Sequence, residues 1–156
     1  MTSTPSTDSP RVAVVGGGAA GLMAAGRAAE LGARVTLFEH MPKTALKLGI
    51  TGKGRCNVTN NCTEEEFLSE VVSNPRFLYS AIHRFSPTDT ISFFETHGVP
   101  LKTERGRRVF PVSDKASDIV RALRDYAGGA RVIHEKVTHL TAEGGCITGV
   151  TTDRDY

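Results

Sequence analysis

The sequence predicts an α/β fold with a parallel sheet opened by a βαβ unit. Three observations predict it: a short β-branched apolar run, an alanine-rich segment closed by a glycine, and a second β-prone run. Arg11-Val-Ala-Val-Val15 is followed at once by glycines and has the apolar continuity of a strand buried on both faces. Ala19 to Leu31 is rich in good helix formers, and Gly32 stands just past its end as a C-cap. Arg34 to Glu39 is the second strand, which a right-handed crossover lays parallel beside the first.

The middle of the chain changes character. Met41 to Cys62 carries Gly49, Gly52 and Gly54 with little periodicity and is expected to be an extended functional loop. Helices are expected at Glu64 to Val72, Pro75 to Phe85 and Pro87 to His97. The last has Ser86 as N-cap, Pro87 in its first turn and Gly98 at its end. Val99 to Thr103 and Arg107 to Phe110 form a hairpin around Arg105-Gly106, and Ser113 caps a helix running to Ala127. Arg131 to Val137 is a strand expected beside the first one. His139 to Thr141 and Ile147 to Thr151 flank Glu143-Gly144-Gly145 as a further hairpin, giving a β-meander.

The bulk properties exclude several classes. A chain of 156 residues supports one ordinary core, and a net charge of +2 is too small to predict a polyanionic partner. The expected partner is a small-molecule substrate, with no nucleic acid and no membrane. No run of eighteen apolar residues occurs, and Met1 to Pro10 is a Ser/Thr/Pro-rich stretch without a basic or apolar signal region, expected to be a disordered leader on a cytoplasmic chain. Cys56, Cys62 and Cys146 are odd in number and form no C-x-x-C pair, so neither a disulfide framework nor a zinc cluster is expected. His40, His83, His97, His134 and His139 lack metal-ligand spacing, and no metal is predicted.

The chemistry lies in the first turn, where Gly16-Gly-Gly18-Ala-Ala-Gly21 fits G-x-G-x-x-G between a strand and a helix. Gly16 permits the tight turn, Gly18 lets backbone approach a pyrophosphate, and Gly21 lets helix and strand pack closely. The amides around Ala19 and Ala20 open the helix and offer unpaired donors at its positive dipole end. With 16 glycines in the chain the bare motif arises by chance in roughly one such chain in six. Ala25 and Gly32 at their further spacings lower that to the order of a few in a thousand. Glu39, eighteen residues past Gly21, is placed to accept from adenosine ribose hydroxyls, and its charge disfavours a 2′-phosphate.

VAVVGGGAAGL and the stretch Lys47-Leu-Gly-Ile-Thr-Gly-Lys-Gly-Arg-Cys-Asn-Val-Thr-Asn60 together resemble the aminoacetone-oxidase-like (YhiN/BaiN-type) family of FAD-dependent oxidoreductases. Arg107-Arg-Val-Phe-Pro111 with Ser113, Lys115, Ala116 and Asp118 extends the likeness over most of residues 11 to 151. The resemblance implies a Rossmann-like FAD-binding fold with a helical and hairpin insertion. It implies that the first motif holds the adenosine and pyrophosphate; Glu39 and His40 are expected beside that motif, and Val137, at the end of the strand expected next to the first, near the adenine. It makes Lys47, Gly52, Gly54, Arg55, Cys56 and Asn57 neighbours of the cofactor, and it names no catalytic residue. Electron or hydride transfer through FAD to or from a small organic substrate is the implied function. Lys53 departs from the family, which often has another glycine there. The chain is also far shorter than the family's length, so an N-terminal portion with an incomplete site is expected.

The residues of the loop agree with that placement. Between Glu39 and Glu64 there is no acid, while Lys43, Lys47, Lys53 and Arg55 are cationic. Two other classes share the fingerprint: an NAD-binding dehydrogenase and a noncatalytic nucleotide-binding module. A redox dithiol of the glutathione-reductase kind calls for C-x4-C, whereas five residues separate Cys56 from Cys62. Arg105, Arg107 and Arg108 are candidates for a carboxylate or phosphate on the substrate side.

Overall fold

The computed structural model of the chain describes residues 9–154, so all but the last two residues of the expected leader lie outside it. In chain order the elements are β1 (Arg11–Val15), α1 (Ala19–Glu30), β2 (Arg34–Phe38), α2 (Leu46–Ile50), β3 (Thr59–Asn60), α3 (Glu64–Ser69), α4 (Pro75–Arg84), α5 (Pro87–Thr96), β4 (Leu101–Thr103), β5 (Arg108–Pro111), α6 (Ala116–Tyr126), β6 (Arg131–Ile133), β7 (Val137–Glu143) and β8 (Cys146–Thr152). They divide into two compact units. One joins the segment up to Leu46 with the segment from Leu123 onward, and the other is the insertion Lys47–Ala122.

The first unit is a parallel sheet of order β1-β2-β6 with α1 as the crossover between β1 and β2. Val12 pairs with Val35 and Val14 with Leu37, and Leu37 in turn faces Val132 of β6. Leu22 and Ala25 of α1 are buried together with Val35, Leu37 and Phe38 of β2. Each large apolar side chain removed from water there contributes on the order of 1.5–3 kcal/mol. The hairpin β7-β8 follows, turning on Gly144 and Gly145 at φ 57° and 80°, as a two-residue connection of this hand requires.

Three expectations for this unit are corrected. β6 lies beside β2 and not beside β1, because the end of α6 is seated on α1. A Cβ built on Gly26 would fall 2.3 Å from the Tyr126 ring, and one on Gly129 would fall 3.1 Å from the Ala29 Cβ, so the chain leaves that contact at the free edge of β2. The strand expected over Arg131 to Val137 ends at Ile133, and Val137 instead opens β7 opposite Thr152; the meander is therefore a two-stranded hairpin. β1 is an edge strand with exposure alternating along it, and β2 is the strand with the buried residues. Continuous apolar sequence marks a strand fit for burial, whereas burial itself follows from how many neighbours the strand has.

The insertion is built on an antiparallel sheet of order β3-β5-β4, with Thr59 opposite Val109 and Leu101 opposite Pro111. Val109, Phe110, Phe94, Val99 and Ile119 are buried. Thr63 with Glu66 and Ser86 with Asp89 form reciprocal capping boxes at the starts of α3 and α5, each satisfying two orphan amides. The segment expected as one irregular loop contains α2, a 3₁₀ turn at Thr51–Gly54 and β3. α3 stops at Ser69, short of Val72, and Asn74 then adopts a left-handed φ of 50° before α4. Ser113 precedes α6 by a turn: its hydroxyl accepts from the Lys115 amide at 3.3 Å and donates to the Asp118 carboxylate.

Candidate functional site

β1 ends in a turn made by Gly16, which sits at φ 99° and donates its amide to the Phe38 carbonyl at 2.8 Å. A side chain is strained at that angle, so glycine is required by the backbone itself. A Cβ on Gly21 would lie 1.8 Å from the Gly16 carbonyl oxygen, so the close crossing of helix and turn requires the second glycine. A Cβ on Gly18 would meet no protein atom within 4 Å. The turn is therefore open on the side of Gly18 and closed on the side of Gly21.

The N-terminus of α1 has no side-chain cap, and its first backbone bond runs from the Leu22 amide to the Gly18 carbonyl at 2.9 Å. Among the described residues, the amides of Gly18, Ala19, Ala20 and Gly21 meet no acceptor. Four donors on an uncapped helix start form an electropositive backbone cradle.

Glu39 follows the last residue of β2 and is buried, with its carboxylate held by two main-chain donors. The Gly17 amide donates to Oε2 and the Met41 amide to Oε1, both at 2.8 Å. His40 is exposed, with Nδ1 at 3.1 Å from Oε1. Burial pushes the Glu39 carboxyl up, but the Met41 and Gly17 amides, aided by His40 and His134, outweigh it and leave it below the ordinary carboxylate range. Oε2, with the Gly17 amide as its one partner among these, keeps a further lone pair for a hydroxyl donor. Gly16, Gly18, Ala19, Ala20, Gly21, Glu39 and His40 are thus brought together at the carboxyl ends of β1 and β2, whereas Val137 lies on the hairpin.

In the insertion, Lys47, Gly52, Gly54, Arg55, Cys56 and Asn57 fall on α2 and the turn after it. Gly52, Lys53 and Cys56 have φ values of 57°, 59° and 60°. Two non-glycine residues in the left-handed region make this a strained turn, costing on the order of 1–2 kcal/mol each. Cys56 is buried, and burial pushes its thiol up against a smaller opposing effect from Thr51. Arg55 does not hang free: Nε bonds Asp114 Oδ1 at 2.8 Å, Nη2 bonds Glu104, and the guanidinium lies over the Phe110 ring at 4.1 Å. Lys102 joins both acids, so four charges neutralise one another. The Asn57 amide, oriented to donate, reaches the Val109 carbonyl at 3.2 Å and the Thr59 carbonyl at 3.0 Å. Lys47 is exposed.

Of the arginines proposed for substrate, Arg107 pairs with Glu66 at 2.6 Å and Arg108 donates to the Arg105 carbonyl at 3.1 Å. The three cysteines are unpaired thiols, and among the described residues no group of three His, Cys, Asp or Glu side chains is arranged to hold a metal. Gly17, Thr44 and Arg124 were not singled out by the sequence. Their signal was faint: a third glycine within the fingerprint, and two polar residues eighty positions apart.

Residues 10–154 match the model of the HI0933-like protein Rossmann domain. The ribosomal RNA dihydrouridine synthase of Escherichia coli (strain K12) is 32% identical over 141 residues, covering 90% of this chain and 34% of that protein. The protein of the same name from Haemophilus influenzae is 33% identical over 123 residues, covering 77% of this chain and 30% of its own length. The chain thus spans about a third of the curated relatives it matches. Among solved structures, the open conformation of a flavocytochrome c3 fumarate reductase superposes with a TM-score of 0.65 at 20% identity, over 94% of this chain and 32% of that one. The open glycine turn, the parallel sheet and the match along nearly the whole described length agree: the chain belongs to the HI0933-like family and carries its Rossmann-type FAD-binding fold.

Proposed function

We propose that this chain holds the adenosine diphosphate half of FAD at the start of α1 and serves a FAD-dependent oxidoreductase. The carrying observation is the pairing of open space at Gly18 with four amides that have no protein acceptor. A diphosphate supplies the missing acceptors and the charge that the helix end favours. Glu39, ionised and anchored, takes the ribose hydroxyls, and its charge selects against a 2′-phosphate. From the sequence motif, Gly52, Gly54, Arg55, Cys56 and Asn57 are proposed as flavin neighbours. Bound FAD would supply two-electron transfer, and the protein would supply binding, orientation and a local field.

On the chain's own residues the substrate is a small organic molecule, because a net charge of +2 provides little field for a polyanion. The names of the two relatives favour a second reading, a uridine within ribosomal RNA. Adding one hydride equivalent and one proton across the C5=C6 bond of that base gives dihydrouridine. The cytoplasm is the proposed compartment, supported by three unpaired thiols and by the lack, among the described residues, of a helix long and apolar enough to cross a membrane.

Titration of the chain with FAD and with NAD⁺, followed by calorimetry and visible absorption, tests the cofactor. Heat and a perturbed flavin spectrum with FAD alone support the reading, and binding of NAD⁺ alone refutes it. Incubation with dithionite-reduced FAD and either free uridine or a ribosomal RNA fragment, with dihydrouridine quantified by mass spectrometry, separates the two substrates.

A further inference from the structure

The segment after β2 folds back over the fingerprint turn. The Ala45 amide donates to the Gly17 carbonyl at 2.8 Å, and Thr44 is buried so close that a Cβ on Gly17 would fall 2.7 Å from its methyl group. Ala45 itself is buried with a φ of 58°. A left-handed alanine persists only where its surroundings hold it. The holding group is Arg124 in the last turn of α6. Its Nε donates to Thr44 Oγ1 at 2.8 Å and its Nη2 donates to the Thr44 carbonyl at 2.6 Å. These two bonds fix side chain and main chain of one residue at once, with the rigid spacing that a planar forked donor supplies.

Gly17 is therefore gripped from two sides. Its amide is bound by Glu39 Oε2 at 2.8 Å and its carbonyl by Ala45. That carbonyl is the acceptor one turn before the Gly21 amide. The Gly21 amide, on the third residue of the helix, stands outside the ladder with the amides of Gly18, Ala19 and Ala20, and the Ala45 bond fixes the peptide from which this run of donors starts. We infer that Arg124 is a positioning residue for the cofactor diphosphate: through Thr44 and Ala45 it sets the Gly17 peptide and so keeps the cradle amides directed outward. This rests on the reading of the turn as the FAD diphosphate site. It goes beyond that reading by giving a role in binding to a side chain that lies outside the fingerprint.

The test uses the 156-residue chain with ADP as the probe, in wild type, Arg124→Gln, Arg124→Lys and Thr44→Val. Affinity is read by calorimetry, the bound diphosphate by its phosphorus-31 resonances, and ligand-free integrity by melting temperature. Loss of charge-assisted hydrogen bonds predicts an affinity drop of about tenfold or more for Arg124→Gln. Arg124→Lys, which keeps the cation but not the fork, recovers part of it, and Thr44→Val, which keeps the shape, weakens binding less. The bound resonances of Arg124→Gln at saturation move toward those of free ADP. Equal affinity in wild type and Arg124→Gln overturns the inference while leaving the site intact. A loss that lysine does not relieve, with unmoved resonances, makes Arg124 a structural residue and also overturns it. Failure of the wild type to bind ADP overturns the site itself and the inference with it.

Discussion

A Cβ on Gly21 would sit 1.8 Å from the carbonyl oxygen of Gly16, whereas a Cβ on Gly18 would touch no protein atom within 4 Å. Two glycines of one motif thus answer to different demands. Gly21 is required by the fold and Gly18 by whatever approaches from outside. Gly21→Ala must push a backbone carbonyl aside, and a loss of about 2 kcal/mol or more in urea unfolding is expected.

Gly18→Leu is the opposite case. The side chain enters open space at a φ of −77°, which any residue tolerates, so the unfolding free energy should move by no more than about 0.5 kcal/mol. FAD affinity should nevertheless collapse, because the leucine fills the volume that the diphosphate needs. Unchanged flavin affinity by calorimetry contradicts the placement of the cofactor at this turn.

Gly26 carries a third demand, which the fingerprint does not contain. A Cβ there would lie 2.3 Å from the Tyr126 ring, whose hydroxyl donates to Glu30 at 3.0 Å on the same helix. Gly26→Ala should cost about 1–3 kcal/mol, and adding Tyr126→Ala should restore part of the loss, as the clash disappears with the ring. Additive losses in the double variant are the contrary result.

These residues also mark where the sequence was legible. The β1–α1–β2 unit followed from local signals: a β-branched run, alanines closed by Gly32, and glycines at spacings dictated by the turn. Sheet order did not, because it depends on Gly26 meeting Tyr126 a hundred residues later, and neither residue advertises the other. The carboxylate of Glu39 was legible from its distance to Gly21, but its grip on the Gly17 amide was not, since a fingerprint specifies spacing and not bonds. Likewise the turn around Arg55 was visible as glycine-rich and basic. Its neutralisation by Asp114, 59 positions on, emerges only when β4 and β5 bring the acids beside it.

Glu39 ties stability to pH. Its carboxyl is depressed in the folded chain below the ordinary value of 4.5, so the unfolded state binds the proton more readily. Its contribution is complete above that ordinary value and disappears as pH falls through the lower folded value. Glu39→Gln keeps one acceptor for the two amides and loses the charge. At neutral pH it should be less stable than wild type by about 1–3 kcal/mol, a gap that closes as the pH falls below the ordinary carboxylate range and through the lower folded value. A gap independent of pH in parallel urea titrations would falsify this account of the carboxylate.

The cysteines give a kinetic prediction. Cys56 is 1% exposed and burial raises its thiol, so it forms little thiolate and offers no access. Cys62 is half-buried and is raised by burial and by the Glu66 charge, against a smaller pull from Arg107. Cys146 is exposed at the start of β8. Iodoacetamide at mildly alkaline pH should therefore label Cys146 first, Cys62 more slowly and Cys56 only as the chain unfolds, with peptide mass spectrometry following each site. A redox dithiol requires the reverse order, with one of Cys56 and Cys62 the most reactive thiol and the two joined on mild oxidation. Fast labelling of Cys56 in the folded chain would reopen that chemistry, whereas protection that tracks global unfolding fixes Cys56 as a packed wall of the turn.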